Sequence, residues 1–395
     1  MNLTNKILAF FISRPDYFLK NISARYPLSA AQLKKYGNVL HWNLVSANDA
    51  INWNTAVIDA NTNKLNWDIF TCNAKAFPDL SLLEKYNDLI DWRGRNGCCS
   101  NSITENAGLP WDEAFIESVE SKIDFYKLSQ STCVKWSECM IDKYIERWDM
   151  PSLACNVSFS WSEKLFVKYL NMSYFMYYPF KWNPALISDL GFIEKYKDYV
   201  LWSSICANKN LPWSALNLLN KWKDYIDWWG IALNPYFFLN DENFFYSNLN
   251  KWYGNNYRNF GALSANAALP WSLDFICSYR AYWNWERLSL NEGLPWSIQL
   301  IETYPDKLIW GGKVPASMLD EEGNVISPTG GFRYISGMVQ NEALPWSVDF
   351  INHFEHEIDF DELADNNGAW KKAFENHVDD GLIDLVIQSS VLPLV

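Results

Sequence analysis

A unit of 25 residues recurs along most of this chain and constrains its fold more than any other feature of the sequence. One complete copy begins at Trp285 and ends where the next copy begins, at Trp310. The same step runs from Tyr17 to Trp42, Trp67 and Trp92, from Phe125 to Met150 and Phe175, and from Phe260 through Trp285, Trp310 and Ile335 to Phe360. A fixed period of this length is typical of repeat proteins, in which each unit buries its apolar face against its neighbours.

Each unit has the sequence signals of two short antiparallel helices. The motif Leu-Pro-Trp-Ser at 294–297 marks the start of one helix. Pro295 favours extended backbone before it, and the Ser297 hydroxyl can accept from a free backbone N–H of the first turn. Asn284 precedes the other helix as its cap, and Asn291 suits its end. The predicted fold is therefore an all-α solenoid of about 14 such helix pairs.

Two classes of aromatic residue carry capping residues on opposite sides. The class in the Leu-Pro-Trp-Ser motif is followed by a cap, at Asn54, Asp112, Ser137, Ser162, Asn183, Ser214, Ser272, Ser297 and Ser347. The class that opens the unit is often preceded by one, at Asn66, Asp91, Asp124, Asp227, Asn284 and Asp359. Asparagines six residues after the opening aromatic, from Asn48 to Asn366, are predicted to form a ladder that satisfies backbone groups between units.

The repeats divide the chain into an array and its two ends. Residues 1–16 are predicted to cap the N-terminal end, residues 17–370 to form the array, and residues 371–395 to cap the C-terminal end. The repeat is irregular at 93–100, 236–257 and 311–333. The last of these segments is rich in turn residues and predicts a loop or a hairpin.

The Leu-Pro-Trp-Ser motif, present at 269–272 and 294–297, resembles tandem tryptophan-rich repeats of uncharacterised microbial proteins. The resemblance covers most of the chain and is less regular between residues 175 and 260. It implies a repeat array and carries no activity with it. The longer tetratricopeptide and ankyrin patterns do not match this motif.

Charge and cysteine usage narrow the classes of partner and compartment. A net charge of −13 argues against binding to nucleic acid, and it fits either attraction of a basic protein or solubility alone. None of the eight cysteines forms a Cys-x-x-Cys pair, which favours a reducing compartment and predicts a cytoplasmic protein. No stretch approaches the roughly 20 apolar residues of a membrane span.

Motifs for catalysis are absent from the sequence. It contains no Gly-x-Ser-x-Gly elbow, no Walker loop and no dinucleotide fingerprint, so no cofactor is expected. His353 and His356 would share one face of a helix and could supply two ligands of a zinc site, but an ordinary exposed polar helix face is the interpretation that we favour.

Several residues remain as candidate binding groups. Tryptophans outside the repeat register could stack on a ligand such as a sugar; they are Trp222, Trp229, Trp252, Trp283 and Trp370. The acidic run Asp320, Glu321 and Glu322 could bind a cation or a basic partner.

Three functions are compatible with these features. The first is a non-enzymatic protein-interaction scaffold, in a specific version an acidic inhibitor or immunity-type protein that covers a basic partner. The second is a ligand-binding or hydrolytic protein with its site at a repeat break, at 236–257 or 311–333, because breaks can acquire function without loss of stacking. The third is a structural component of a larger assembly, which self-association would reveal.

Overall fold

A computed structural model describes residues 3–93, 102–169, 188–214, 217–241, 243–253, 257–319 and 325–391. Its Cα positions divide the chain into two compact units. Unit 1 comprises residues 1–18 together with 206–395, and unit 2 comprises residues 19–205. Asn183, Asp320, Glu321, Glu322 and nearly all of the break at 93–100 lie outside the described residues.

The described chain is helical, as predicted, with one two-stranded hairpin. In the first half the α-helices are α1 (Leu3–Ser13), α2 (Pro15–Arg25), α3 (Ala30–Tyr36), α4 (Trp42–Ala47), α5 (Thr55–Asn61), α6 (Trp67–Phe70), α7 (Ser81–Lys85), α8 (Glu113–Val119), α9 (Phe125–Gln130), α10 (Glu138–Lys143), α11 (Met150–Cys155), α12 (Glu163–Tyr169) and α13 (Leu190–Lys195). The remaining α-helices are α14 (Trp202–Ala207), α15 (Leu218–Lys221), α16 (Trp228–Leu233), α17 (Pro235–Asn240), α18 (Phe244–Ser247), α19 (Leu249–Tyr253), α20 (Tyr257–Ala265), α21 (Leu273–Ser278), α22 (Trp285–Ser289), α23 (Ile298–Thr303), α24 (Val348–His353), α25 (Phe360–Leu363), α26 (Asn367–Ala373) and α27 (Asp380–Val391). Short 3-10 helices occupy Ile103–Glu105, Met338–Gln340 and Glu375–His377, and the strands are β1 (Gly312–Leu319) and β2 (Val325–Ile335).

Most predicted capping residues begin a helix. A side-chain oxygen accepts from a first-turn backbone N–H at Asn54, Asp112, Ser137, Ser162, Ser272, Ser297 and Ser347, and also at Asn66, Asp124, Asp227, Asn284 and Asp359. The prediction is wrong at Ser214, because α15 starts only after Asn217, whose φ of 47° lies in the left-handed region. Asp91 accepts from the backbone N–H of Arg93, and no described helix follows it directly.

The asparagine ladder is confirmed, and its physical role is to cap helices across repeats. Helices of four to seven residues leave most of their last carbonyls without an internal partner. Asn106 supplies two such partners, because its Nδ2 donates to the carbonyls of Thr71 at 2.8 Å and Asn73 at 2.9 Å. Asn48, Asn73, Asn156, Asn234, Asn266, Asn291, Asn341 and Asn366 donate in the same way to an earlier repeat.

A hydroxyl in the first helix of the repeat makes a second link. Ser46 Oγ donates to the carbonyl of Trp42 at 2.7 Å and accepts from the backbone N–H of Asn66, in the next repeat, at 2.9 Å. Ser129, Ser264 and Ser289 form the same pair of bonds. Adjacent repeats are therefore joined by buried polar bonds as well as by apolar packing.

Insertions interrupt the sequence period without interrupting the ladder. In a regular pair the asparagine reaches back 27 residues, as from Asn73 to the carbonyl of Ser46, four residues after the opening aromatic of the earlier repeat. Asn266 reaches back 34 residues to Ala232, across the break at 236–257. Asn341 reaches back 52 residues to Ser289, across the hairpin. The extra residues are thus looped out, while the repeats on either side remain bonded to each other.

The break at 311–333 forms the antiparallel hairpin of β1 and β2, which confirms the hairpin alternative of the prediction. Its register pairs Gly312 with Ile335 and Pro315 with Phe332, with irregular pairing before Ser317. Gly311 and Gly312 enter the hairpin with φ of 119° and 93°, a region that favours glycine.

Candidate functional site

The negative charge of the chain is concentrated near its C-terminal end. Residues 342–384 contain twelve Asp and Glu side chains against two lysines, a net charge of −10 out of −13 for the whole chain. Ten of these carboxylates are exposed: Glu342, Asp349, Glu355, Glu357, Asp359, Asp361, Asp365, Glu375, Asp379 and Asp380. We call these ten residues the acidic surface.

The helices of unit 1 present this surface because their apolar sides are buried. Helices α24, α25 and α26 bury Phe350, Leu363 and Trp370, each at most 4% exposed. The polar positions between these apolar ones must then face outward, since a helix of one or two turns has a single apolar stripe. The carboxylates follow from that amphipathic pattern and lie on short elements fixed by the repeat packing.

Helix α1 and Arg14, which follows it directly, already place basic side chains on the acidic surface. Lys6 Nζ lies 2.9 Å from Asp349 Oδ1, on α24. Arg14 Nη2 lies 2.6 Å from Glu355 Oε2. The Arg14 guanidinium also lies 4.8 Å from the centre of the Phe360 ring, a cation–π contact. The acidic surface therefore already forms ion pairs with basic side chains of the same protein.

An apolar contact supports these ion pairs. Phe10 and Phe11 are buried on α1, and their ring centres lie 5.2 Å and 4.9 Å from that of Phe374. Helix α1 also contacts α27. The docked helix thus combines a buried aromatic centre with charged pairs at its exposed rim, an arrangement common in protein interfaces.

The surroundings of Glu362, beside the acidic surface, disfavour the ionised form of its carboxyl group. Burial raises the pKa of Glu362 above its ordinary value, and the neighbouring carboxylates of Asp359 and Asp365 raise it further. Its Oε2 is buried and has no hydrogen-bond partner among the described residues. When Glu362 is ionised it adds negative charge to this region and lowers the stability of the folded chain.

The tryptophans outside the repeat register do not form an exposed binding face, so that prediction is wrong for four of the five. Trp222, Trp252, Trp283 and Trp370 are at most 5% exposed. The indole of Trp252 donates to the carbonyl of Phe245 at 2.8 Å, and that of Trp283 to Ile276 at 3.0 Å. Trp283, two residues before Trp285, is buried at the position that Leu308 holds before Trp310. Trp229 is half-buried.

The two candidate zinc ligands have different neighbours. His353 Nε2 lies 3.0 Å from Glu302, and its ring packs edge-on against Phe354. His356 is 93% exposed and lies 4.0 Å from Glu355. Across the parts of the chain that the structure describes, no three His, Cys, Asp or Glu side chains are grouped so that they could hold a metal ion.

Two of the described thiols do not have the lowered pKa of a nucleophile. Burial raises the pKa of Cys72 and of Cys206 to about 12, so both stay protonated at neutral pH. Cys133, Cys139 and Cys277 are also free.

The break at 236–257 is filled by its own aromatics, since Phe237, Phe238, Phe244, Phe245 and Trp252 are all buried and in ring contact.

The acidic surface was missed at the sequence level, where the charge of the whole chain and one short acidic run, Asp320 to Glu322, were the charge features used for prediction. A running count of charge along the sequence would have located residues 342–384. No local pattern reveals that α1 docks there, because the pairing residues Lys6 and Asp349 are 343 positions apart.

Comparisons with known proteins add no constraint on this site: no family model, no curated protein and no solved structure matches the chain. Within the described ranges, no helix is both long enough and apolar enough to cross a membrane.

Proposed function

We propose that this protein is a non-enzymatic interaction scaffold, an α-solenoid of about 14 repeats whose acidic surface binds a basic protein. In its specific form it is an inhibitor or immunity-type protein that covers a basic effector. The observation that carries the proposal is the docking of α1 and of Arg14 directly after it, in which Lys6 pairs with Asp349 and Arg14 with Glu355. A basic partner would use the same chemistry on other exposed carboxylates of this surface, such as those of Glu342, Glu357 and Glu375.

The wider architecture supports this reading in two ways. The asparagine and serine links between repeats favour a solenoid, because each repeat bonds mainly to its neighbour. The free cysteines favour a reducing compartment, and we propose the cytoplasm. The concentrated charge would steer a basic partner toward one end of the sequence rather than over the whole surface.

The test compares two variants with equal change of charge. The first neutralises Glu342, Glu357, Asp365 and Glu375 on the acidic surface by substitution with Gln or Asn. The control neutralises four exposed carboxylates of unit 2, Asp49, Glu84, Asp88 and Glu146, in the same way. Each tagged protein is used for capture from the native source at about 50 mM and about 500 mM NaCl, where charge screening differs strongly.

The expected result is one stoichiometric basic protein, retained at low salt by the parent chain and by the control, released at high salt, and lost with the acidic-surface variant. Retention that is equal for both variants would place binding elsewhere. The absence of any stoichiometric protein partner at either salt would refute the scaffold function and direct attention to ligands of the repeat breaks.

A further inference from the structure

A recurring three-residue contact, which we call the clasp, joins the second helices of neighbouring repeats in unit 2. In the clasp between α10 and α12, Lys168 Nζ lies 2.5 Å from Asp142 Oδ1, and Tyr169 Oη donates to the same oxygen at 2.6 Å. Asp142 is the fifth residue after the cap Ser137. Lys168 and Tyr169 are the sixth and seventh residues after the cap Ser162.

The clasp is present at two other interfaces of this unit. Asp59 on α5 receives Lys85 at 2.7 Å and Tyr86 at 2.5 Å. Asp59, like Asp142, is the fifth residue after its cap. At the third interface the carboxylate is that of Glu163, the first residue after the cap Ser162, which receives Lys195 and Tyr196 at 2.5 Å and 3.1 Å. In each case a lysine and an aromatic ring from the later repeat enclose one carboxylate of the earlier repeat.

Between α3 and α5 the clasp is missing on both sides. Lys34 is the fifth residue after the cap Ser29, where the clasp carboxylate would stand. Ala60 and Asn61 are the sixth and seventh residues after the cap Asn54, where the clasp lysine and tyrosine would stand. The charge is therefore reversed on one helix, and the ring and the lysine are deleted from the other.

The deletion leaves an open groove of about 440 Å³. The alanines Ala30, Ala56 and Ala60 line it together with Asn61, Lys34 and Lys64. This volume lies in the range of small-molecule sites, which combine apolar walls with a few polar groups.

The two lysines of the groove lack carboxylate partners within the described chain. Lys64 Nζ lies 5.3 Å from the Trp42 ring centre, and neither Lys34 nor Lys64 takes part in an ion pair with a described residue. The nearby carboxylate of Asp59 is already held by Lys85. The groove is thus a positively charged site in an acidic protein.

We propose that this groove binds an aromatic carboxylate, whose ring occupies the space of the missing tyrosine and whose anionic group pairs with Lys34 and Lys64. The ligand would supply both the aromatic ring and the negative charge that the clasp contains at other interfaces. Free aromatic acids and peptide segments with an acidic residue beside an aromatic one share this chemistry. The proposal concerns unit 2 and an anionic ligand, so it stands or falls independently of the acidic surface.

The experiment titrates the full chain with two fluorinated probes observed by fluorine NMR. One probe is 3-(4-fluorophenyl)propionate, and the other is an acetylated, amidated Glu-(4-fluoro-Phe) dipeptide. The neutral amide of the first probe measures binding without charge. The probe that binds more tightly identifies the source of the ligand as a free acid or a peptide.

Three variants decide the question. The variant Lys34→Asp/Ala60→Lys/Asn61→Tyr rebuilds the clasp from its neighbours, so it should fold at least as stably as the parent while losing probe binding by about tenfold or more. Lys34→Gln/Lys64→Gln should weaken both anionic probes by about tenfold and leave the neutral amide unchanged. Lys35→Gln, a lysine outside the groove lining, is the matched control and should bind like the parent.

Two outcomes would overturn the proposal. One is undiminished binding by the folded clasp-rebuilt variant, which would show that the probe sits elsewhere. The other is no saturable binding of either anionic probe to the parent chain. A loss of binding confined to the clasp-rebuilt and double-lysine variants would establish the groove as an anion site.

Discussion

The ladder predicts a large effect of a single buried asparagine, and Asn106 is the clearest case. Its side chain is 1% exposed and makes three hydrogen bonds, to the carbonyls of Thr71 and Asn73 and from the backbone N–H of Gly108, all at 2.8–2.9 Å. Asn106→Ala removes all three and leaves three backbone groups without partners. At about 1 kcal/mol for each bond, and more where the abandoned group stays buried, the loss is about 3–5 kcal/mol.

A local measurement suits this prediction, because long arrays need not unfold as one cooperative unit. Amide hydrogen exchange, followed by mass spectrometry in peptides that cover α6 and residues 103–111, should accelerate by roughly 150-fold for a loss of about 3 kcal/mol. Asn106→Asp should be worse than Asn106→Ala, since it aims a negative charge at two carbonyl oxygens.

The control is Asn52→Ala, which truncates an exposed asparagine in the same unit. Its exchange rates should match those of the parent chain. If Asn106→Ala and Asn52→Ala changed the exchange of α6 by the same factor, the ladder would not be what holds adjacent repeats together.

Three further predictions concern charged groups. Burial raises the pKa of Glu362, so the stability that this group contributes is present below the unfolded pKa of 4.5 and is lost as pH rises through the higher folded pKa. Glu362→Gln should therefore raise the thermal midpoint of unfolding at pH 7 and not at pH 4, as measured by differential scanning fluorimetry. The hydrogen bond from Lys168 lowers the pKa of Asp142, so that stabilisation is present above pH 3.8 and lost as pH falls through the lower folded value. Asp142→Asn should lower the midpoint at pH 7, and this effect should shrink as the pH falls below 3.8. Lys6→Glu and Asp349→Lys should each speed proteolysis within α1, and the double exchange should restore resistance, unless the ion pair plays no part in docking.

Helix caps and ladder asparagines are the features of this fold that could be predicted from the sequence. Caps such as Ser297 and ladder residues such as Asn291 are recognisable because their function depends on nearby backbone groups and on a fixed position in the repeat. Ser214 fails as a cap because the left-handed backbone at Asn217 delays the helix, and the cap pattern carries no information about that backbone.

Burial was harder to predict than capping. Trp252 breaks the repeat register in sequence, yet the insertion at 236–257 has its own short helices, and α19 brings this ring into the core. Trp283 is buried two residues before Trp285, at the position that Leu308 holds before Trp310. A position counted along the chain cannot reveal a looped-out segment. The groove between α3 and α5 was missed for a different reason: it becomes visible only when Lys34 and Asn61 are compared with equivalent residues whose contacts are known.

The docking of α1 sets an order of events during synthesis. Lys6 leaves the ribosome 343 residues before Asp349, an interval of roughly 17 to 70 s at common rates of translation. During that time Phe10 and Phe11 have no partner from the last repeats, although the repeats between can form as they emerge. Helix α1 of a neighbouring nascent chain can then dock on the last repeats in place of the chain's own α1. The product of that exchange is a domain-swapped dimer.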